Sequence, residues 1–226
     1  MSTSGPAPYR VDAETLRKDA PVLVLIALDV AFGFFAWSRM PARVPIHWGA
    51  SGEVNGWGPA WVNAFLPPGI AVLVFLTFLY IPLIDPQHRN YAAFAGALRA
   101  LRLLVVGFLV FVHVLVVLAS LGVDVHMDTA MRAALPLLFA GIGALLPGLK
   151  PNWFFGIRTP WTLANAEVWT QTHALGGRLW TAGGVALALC AFLPASAGLP
   201  ALVAGIGVLV LVPVVYSAVL FKRLAP

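Results

Sequence analysis

Apolar residues run along this chain in six blocks, Pro21–Trp37, Phe65–Ile84, Leu101–Leu121, Met131–Leu146, Leu179–Leu193 and Pro200–Phe221, separated by polar or turn-rich stretches. A helix of about 20 residues spans roughly 30 Å, the thickness of the hydrocarbon layer of a bilayer. The blocks are continuous and lack the in-out alternation of a membrane barrel, and in lipid only helices or closed barrels satisfy the backbone. The pattern predicts an all-α, polytopic membrane helical bundle of six transmembrane helices. The fourth and fifth blocks are short, so their ends are the least defined. The order of the blocks predicts an N-terminal tail at 1–19 with a brief helix at Asp12–Asp19. An N-terminal membrane domain follows at 20–121 (spans one to three) with a loop at 39–61. A second membrane domain at 122–226 (spans four to six) carries a loop at 148–177.

Composition agrees: 60% of residues are hydrophobic and 10% charged, where a soluble domain has about a quarter charged. Lys and Arg set the orientation. The tails, the second loop and the fourth loop hold eleven: Arg10, Arg17, Lys18, Arg89, Arg99, Arg102, Lys150, Arg158, Arg178, Lys222 and Arg223. The other loops hold three: Arg39, Arg43 and Arg132. Both termini and the 148–177 loop are therefore expected in the cytoplasm, with the 39–61 loop outside. The pI of 9.9 is then an insertion signal, and direct nucleic-acid binding is not expected, since the cations are spread over four segments. The first block lacks a small-residue cleavage site and reads as a retained span. One cysteine, Cys190, excludes an intrachain disulfide and offers no metal pattern.

The two large loops hold most of the unusual chemistry. In the outer one, Pro45-Ile-His-Trp-Gly-Ala-Ser-Gly-Glu-Val-Asn-Gly-Trp57, Gly49, Gly52 and Gly56 permit positive φ and Asn55-Gly56 is a tight-turn dipeptide. A compact loop with a short hairpin is expected, either simply wet or a recognition surface presenting His47, Gly52, Glu53 and Trp57. One histidine and one carboxylate six residues apart match no metal motif. In the inner loop, Phe154–Leu163 reads as extended, because Thr159 precedes Pro160. A helix is expected from Asn165, with Trp169, His173, Gly176 and Trp180 on one face, bending or ending at Gly176-Gly177 before span five. It reads either as an interfacial re-entry helix, with Trp169 among headgroups and Arg158 near lipid phosphate, or as a functional cluster. All eight tryptophans fall at predicted span ends or in the two large loops, as interfacial anchors do.

The string Asn152-Trp-Phe-Phe-Gly-Ile-Arg-Thr-Pro-Trp-Thr-Leu163, followed by Glu167, Trp169, Thr172 and His173, resembles the signature of the SdpI family, bacterial immunity proteins against the sporulation-delaying toxin. The Pro45–Trp57 stretch resembles the outer-loop motif of the N-terminal domain that accompanies it, and Asp85-Pro86 with Asn90 also fits the family pattern. The resemblance implies a multi-pass protein of the bacterial cytoplasmic membrane. Its expected partners are membrane lipid, a toxic peptide outside and a repressor held at the cytoplasmic face. The implied recognition residues are His47, Gly52, Glu53, Trp57, Asn152, Gly156, Arg158, Thr159, Pro160, Trp161, Thr162, Trp169 and His173.

Two ionisable residues interrupt the spans: Asp29 midway along the first and His113 midway along the third. An isolated charge at that depth costs several kcal/mol, so both are expected to face the bundle interior, paired with each other or hydrogen-bonded to groups such as Ser120 and Thr77. No nucleophile with an adjacent base and no cluster of metal ligands is evident, so the chain is not expected to be an enzyme or to hold a cofactor or metal. The leading expectation is a membrane immunity or receptor-type protein that signals to a cytoplasmic partner. The alternative is a small proton-sensitive transporter or lipid-handling protein.

Overall fold

The structure is a computed structural model, and it describes residues 9–224. The part of the expected tail at 1–8 lies outside the described residues. A short helix α1 (Ala13–Lys18) starts where the Asp12 side chain accepts the Thr15 N–H, a charge-assisted N-cap. It leads into α2 (Ala20–Trp37), a hairpin β1 (Arg43–Trp48) and β2 (Val54–Pro59), and α3 (Ala60–Ile84). A 3-10 turn at His88–Phe94 opens α4 (Ala95–Ser120), and α5 (Met127–Leu145) follows. The inner loop contains α6 (Pro160–Ala164), before α7 (Ala166–Leu189) and α8 (Ala195–Leu224). Six helical segments are long and apolar enough to cross a membrane. The protein is a multi-pass membrane protein of essentially helical build, the hairpin being the only sheet among the described residues.

Several boundaries differ from the sequence expectation for physical reasons. The helix that starts at Asn165 is not a separate re-entry element. It runs unbroken through Gly176-Gly177 to Leu189, because the two glycines are packing surfaces and not breaks. A side chain at Gly177 would meet Pro147 at 2.8 Å. Of the 154–163 stretch, 154–156 is bent into a turn, and Thr159 is extended (φ −113°, ψ 162°). Pro160, with no N–H to satisfy, then opens a short helix at its first position. Trp169 and Trp180 are not headgroup anchors: Trp169 is fully buried, and half-buried Trp180 donates to the Leu209 carbonyl at 2.7 Å.

Helices in lipid gain nothing from burying apolar surface against each other, so small residues and polar bonds decide the packing. α5 and α7 make the most extensive pairing, and glycine allows it. A methyl on Gly184 would fall 2.5 Å from the Pro136 carbonyl oxygen, and one on Gly143 would fall 2.6 Å from the Thr181 nitrogen. Gly141 packs on Leu104 and Gly205 on Leu187, so these glycines serve contacts within one chain. The first three spans form one group (α2, α3, α4) and the last three another (α5, α7, α8), and the helices of the two groups meet mainly where α4 lies on α5. At the end of the bundle that carries the 148–177 loop, a shared core of Tyr91, Phe94, Leu98, Leu146, Leu149, Phe155, Ile157 and Trp169 crosses that seam.

Polar bonds tie α2 to α4 at two depths. Near the inner end, buried Asp19 and Arg102 form a bidentate pair, Nη2 to Oδ2 at 2.7 Å and to Oδ1 at 3.0 Å. Arg102 therefore belongs to the bundle interior and not to a loop. About halfway along, His113 Nδ1 lies 2.7 Å from Asp29 Oδ1, both residues buried. The α3 helix contributes a close approach here. Pro68 has no N–H to bond the Ala64 carbonyl, and that carbonyl points at Gly33 so closely that no side chain fits.

Candidate functional site

The inner loop is held by a knot of buried hydrogen bonds whose donors and acceptors are the signature residues themselves. Asn152 is fully buried. Its Oδ1 accepts the N–H groups of Phe154 (2.9 Å) and Phe155 (2.6 Å), and its Nδ2 donates to the carbonyls of Lys150 (2.9 Å) and Phe155 (3.1 Å). A single amide thus satisfies four backbone groups of a tight turn that no helix or strand serves. The turn closes at Gly156, at φ 103°, a conformation that a β-carbon makes costly.

His173 completes the turn from α7. Its Nε2 accepts the Ile157 N–H at 3.0 Å, and its Nδ1 lies 2.8 Å from the Trp169 carbonyl. A ring that accepts at Nε2 and donates at Nδ1 is the neutral Nδ1–H tautomer. The Trp169 indole stacks on this ring at 4.0 Å and donates to the Leu149 carbonyl at 3.0 Å. Thr159 and Thr162 form a reciprocal capping box at the start of α6. Thr159 Oγ1 also meets Ser217 Oγ of α8 at 3.0 Å, and Thr162 Oγ1 donates to the Ile157 carbonyl at 2.9 Å.

The first half of the chain grips the same knot. Asp85, just past α3, is buried, and its carboxylate accepts from Gln87 N–H (2.7 Å), Tyr91 OH (2.7 Å) and Trp153 N–H (2.9 Å). Asn90 donates to the Pro151 carbonyl at 2.7 Å. What the knot leaves to solvent is Trp153, Arg158 and Pro160, with Trp161 half-buried. Arg158 is held across the loop by its bond to the Trp153 carbonyl at 2.6 Å. So Asn152, Gly156, Thr159, Thr162, Trp169 and His173 spend their chemistry on the loop's own shape, while Arg158 and Pro160 stay exposed and Trp161 half-buried.

At the opposite end the hairpin bends over a groove of about 600 Å³ lined by Arg43, Pro45, Trp48, Gly52, Val54, Trp57 and the 119–125 connection between α4 and α5. Asn63 fixes the floor by donating to the Pro45 carbonyl (2.7 Å) and Ser120 Oγ (2.8 Å). The hairpin turn lies at Gly49–Glu53, where the Gly49 N–H donates to the Glu53 carbonyl at 2.8 Å. It does not lie at Asn55-Gly56, which sits inside β2 opposite a bulge at Pro45–Trp48. Of the three loop glycines only Gly52 takes positive φ (88°), with its Cα turned toward Asp128 at the start of α5. His47 bonds Asn55, and Glu53 bonds Ser51. The Ser51 hydroxyl holds the Glu53 carboxyl below its usual range. His47 and Glu53 thus form two separate local pairs. Trp57 is 54% exposed at the groove rim. No group of three metal-ligating side chains occurs among the described residues.

In the middle of the bundle, Asp29 Oδ2 and His113 Nε2 are buried without a hydrogen-bond partner among the described residues. The alternatives that the sequence offered are engaged elsewhere: Ser120 donates to the Val116 carbonyl and Thr77 to the Leu73 carbonyl, both at 2.7 Å. The edge of Phe32 closes the pair on one side.

Residues 148–217, a stretch that begins at the knot and ends at Ser217, match the model of the SdpI/YfhL protein family. That stretch of the chain is similar to the SdpI/YfhL protein family. Residues 24–72 match a second model, Domain of unknown function (DUF1648). Across both, the chain is 22% identical over 182 residues to Immunity protein SdpI of Bacillus subtilis (strain 168), covering 78% of this chain and 83% of that protein. No solved structure matches it. The matched stretch 148–217 contains every signature residue of the knot. Asp85, Asn90 and Tyr91, which hold it from the other half, fall between the two matched regions.

Sequence reasoning gave no role to Asp85 or Tyr91, and it placed Asp19 and Arg102 in a tail and a loop. A signal for the latter pair was present: an acid two residues before the first apolar block and a base in the first turn of the third stand at similar depth on parallel helices.

Proposed function

We propose that this protein is an immunity or receptor-type protein of the bacterial cytoplasmic membrane that recognises a secreted toxic peptide at the hairpin groove. One observation carries the reading: the groove is walled by the hairpin on one side and on the other by the end of α4 and the connection through Val125 that joins the two groups of spans. A peptide seated there touches the junction between the two groups of spans, and an occupant that fits one arrangement of the halves better than another shifts the equilibrium between them. The aromatic rim (Trp48, Trp57) suits an apolar peptide and Arg43 suits a carboxylate. At the inner end the SdpI-family knot is gripped by Asp85 and Asn90 from the first half. A shift between halves there moves Arg158, Pro160 and Trp161, the surface offered to a repressor-like partner. The likeness to Immunity protein SdpI supports the reading.

The test is survival of a sensitive host challenged with the secreted peptide while expressing the chain. Protection that fails with Trp57→Ala or Arg43→Glu at unchanged membrane abundance supports the groove. Full protection by both variants overturns it. The buried Asp29–His113 contact favours a second reading, a small proton-sensitive transporter. Proton flux into liposomes that disappears with Asp29→Asn would select it over the first.

A further inference from the structure

The strongest unassigned feature lies at the inner end, away from both the groove and the knot. Between α1 and the start of α4 is a cavity of about 370 Å³ lined by Tyr9, Arg10, Asp12, Glu14, Thr15, Lys18, Ala92, Ala95, Arg99 and Arg102. Its charges sort into used and unused. Arg102 is committed to Asp19, Lys18 pairs with Glu14, and the Asp12 carboxylate caps α1. Among the described residues, Arg10 and Arg99 have neither an acidic partner nor a side-chain hydrogen bond, and they reach the cavity from two different elements. With the pairs cancelled, two guanidinium groups face one carboxylate, an excess of a single positive charge. That balance suits a monoanion. Ala95, the first residue of the 26-residue α4, and Ala92, in the 3-10 turn that leads into it, lie on the cavity wall, and amide N–H groups at the start of a helix favour negative charge. No Asp or Glu side chain caps that end.

The walls are rigid on the side that matters. Tyr9 donates to the Leu79 carbonyl at 3.1 Å, receives Arg102 Nη1 at 3.4 Å and packs on Tyr91. The cavity lies beside the Asp19–Arg102 pair, next to the start of α2, and arginine recognises phosphate by paired hydrogen bonds.

We infer that the cavity between α1 and α4 is a binding site for a phosphodiester monoanion, held by Arg10 and Arg99 against the N-terminal turn of α4. It is independent of what the hairpin groove recognises. The chemistry is that of a phospholipid headgroup, and a small phosphate in solution presents a related group, so the experiment separates the two sources.

Full-length protein is purified in detergent, stripped of lipid and titrated with phosphatidylglycerol while bound lipid is counted by native mass spectrometry. Arg10→Gln with Arg99→Gln is compared with Arg89→Gln with Arg178→Gln, which removes the same charge from the same end of the bundle. The wild type and the Arg89/Arg178 variant are expected to retain one lipid per chain, and the Arg10/Arg99 variant to bind it about ten- to thirty-fold more weakly. Arg99→Lys, which keeps the charge and loses the fork, should fall between, and it serves as the folded reference if the double variant is unstable. Equal weakening in both double variants, or a wild type that neither retains lipid nor is stabilised by phosphate, overturns the site. A second titration uses inorganic phosphate alone. Thermal stabilisation of the wild type but not of the Arg10/Arg99 variant by millimolar phosphate upholds the phosphoryl chemistry and assigns the source to solution. No effect of phosphate together with lipid retention assigns it to the membrane.

Discussion

The Cα of Gly156 stands directly against the Nε2 edge of His173, with no room between them for a methyl group. The same glycine holds φ at 103°, so one position combines a backbone requirement with a contact requirement. Gly156→Ala must strain the turn, by about 1–3 kcal/mol for the backbone alone, and must also push His173 off the Ile157 N–H. We predict a clear fall in melting temperature in detergent, with loss of the Arg158 surface. Gly69→Ala, in α3 with no atom near the added carbon, is the control and should leave stability unchanged. Equal behaviour of the two variants would show that the turn is not the constraint it is taken to be.

Asp85 is the main clasp between the halves at the inner end, because its carboxylate collects three donors from Gln87, Tyr91 and Trp153. Asp85→Asn keeps the shape but puts an N–H₂ where a donor already points. The expected cost is about 1–3 kcal/mol, and the loop at 149–158 should become the first site of proteolytic cleavage. Asp124→Asn, at an exposed position, should do neither.

The two α2–α4 pairs should respond differently to mutation. Arg102→Met strands a buried carboxylate at Asp19, and breaking such a pair from one side costs about 3–5 kcal/mol. Asp19→Leu with Arg102→Met removes both charges and should recover most of that loss. For the central pair, Asp29→Asn and His113→Ala should be non-additive, with a coupling of about 0.5–2 kcal/mol in a double-mutant cycle. Additive effects would mean that the 2.7 Å contact contributes little.

The spans were legible because burial in lipid leaves a long, one-dimensional signal: a block of apolar residues is visible without knowing what it touches. Boundaries were less so, and the errors have a common cause. Gly176-Gly177 reads as a break in isolation but is the surface where α7 meets Pro147, which is a property of two helices together. Asn55-Gly56 reads as a turn, yet the turn forms at Gly49–Glu53, where the Glu53 carbonyl takes the Gly49 N–H. The Asn152–His173 cluster was visible as a concentration of unusual residues. What the sequence concealed was the direction of its chemistry, since an asparagine that satisfies four backbone groups and one that waits for a ligand look alike in a string. Asp85 stood out with Pro86 and Asn90 as part of the family pattern, but its role was hidden because its partner Trp153 is 68 residues away.

Orientation carries the functional reading, and it is open to a direct test. With Arg102 placed in the bundle interior, ten basic residues still flank one side against three on the other. In a Cys190→Ala background, a cysteine at Trp57 should react with a membrane-impermeant maleimide on intact cells, because Trp57 lines the groove rim and is 54% exposed. A cysteine at Pro160, exposed on the knot, should react only after the cells are permeabilised. If Pro160→Cys is modified from outside while Trp57→Cys is protected, the groove opens to the cytoplasm. No secreted peptide could then reach Arg43 and Trp57, and the surface around Arg158 would face the medium, where a cytoplasmic repressor cannot meet it.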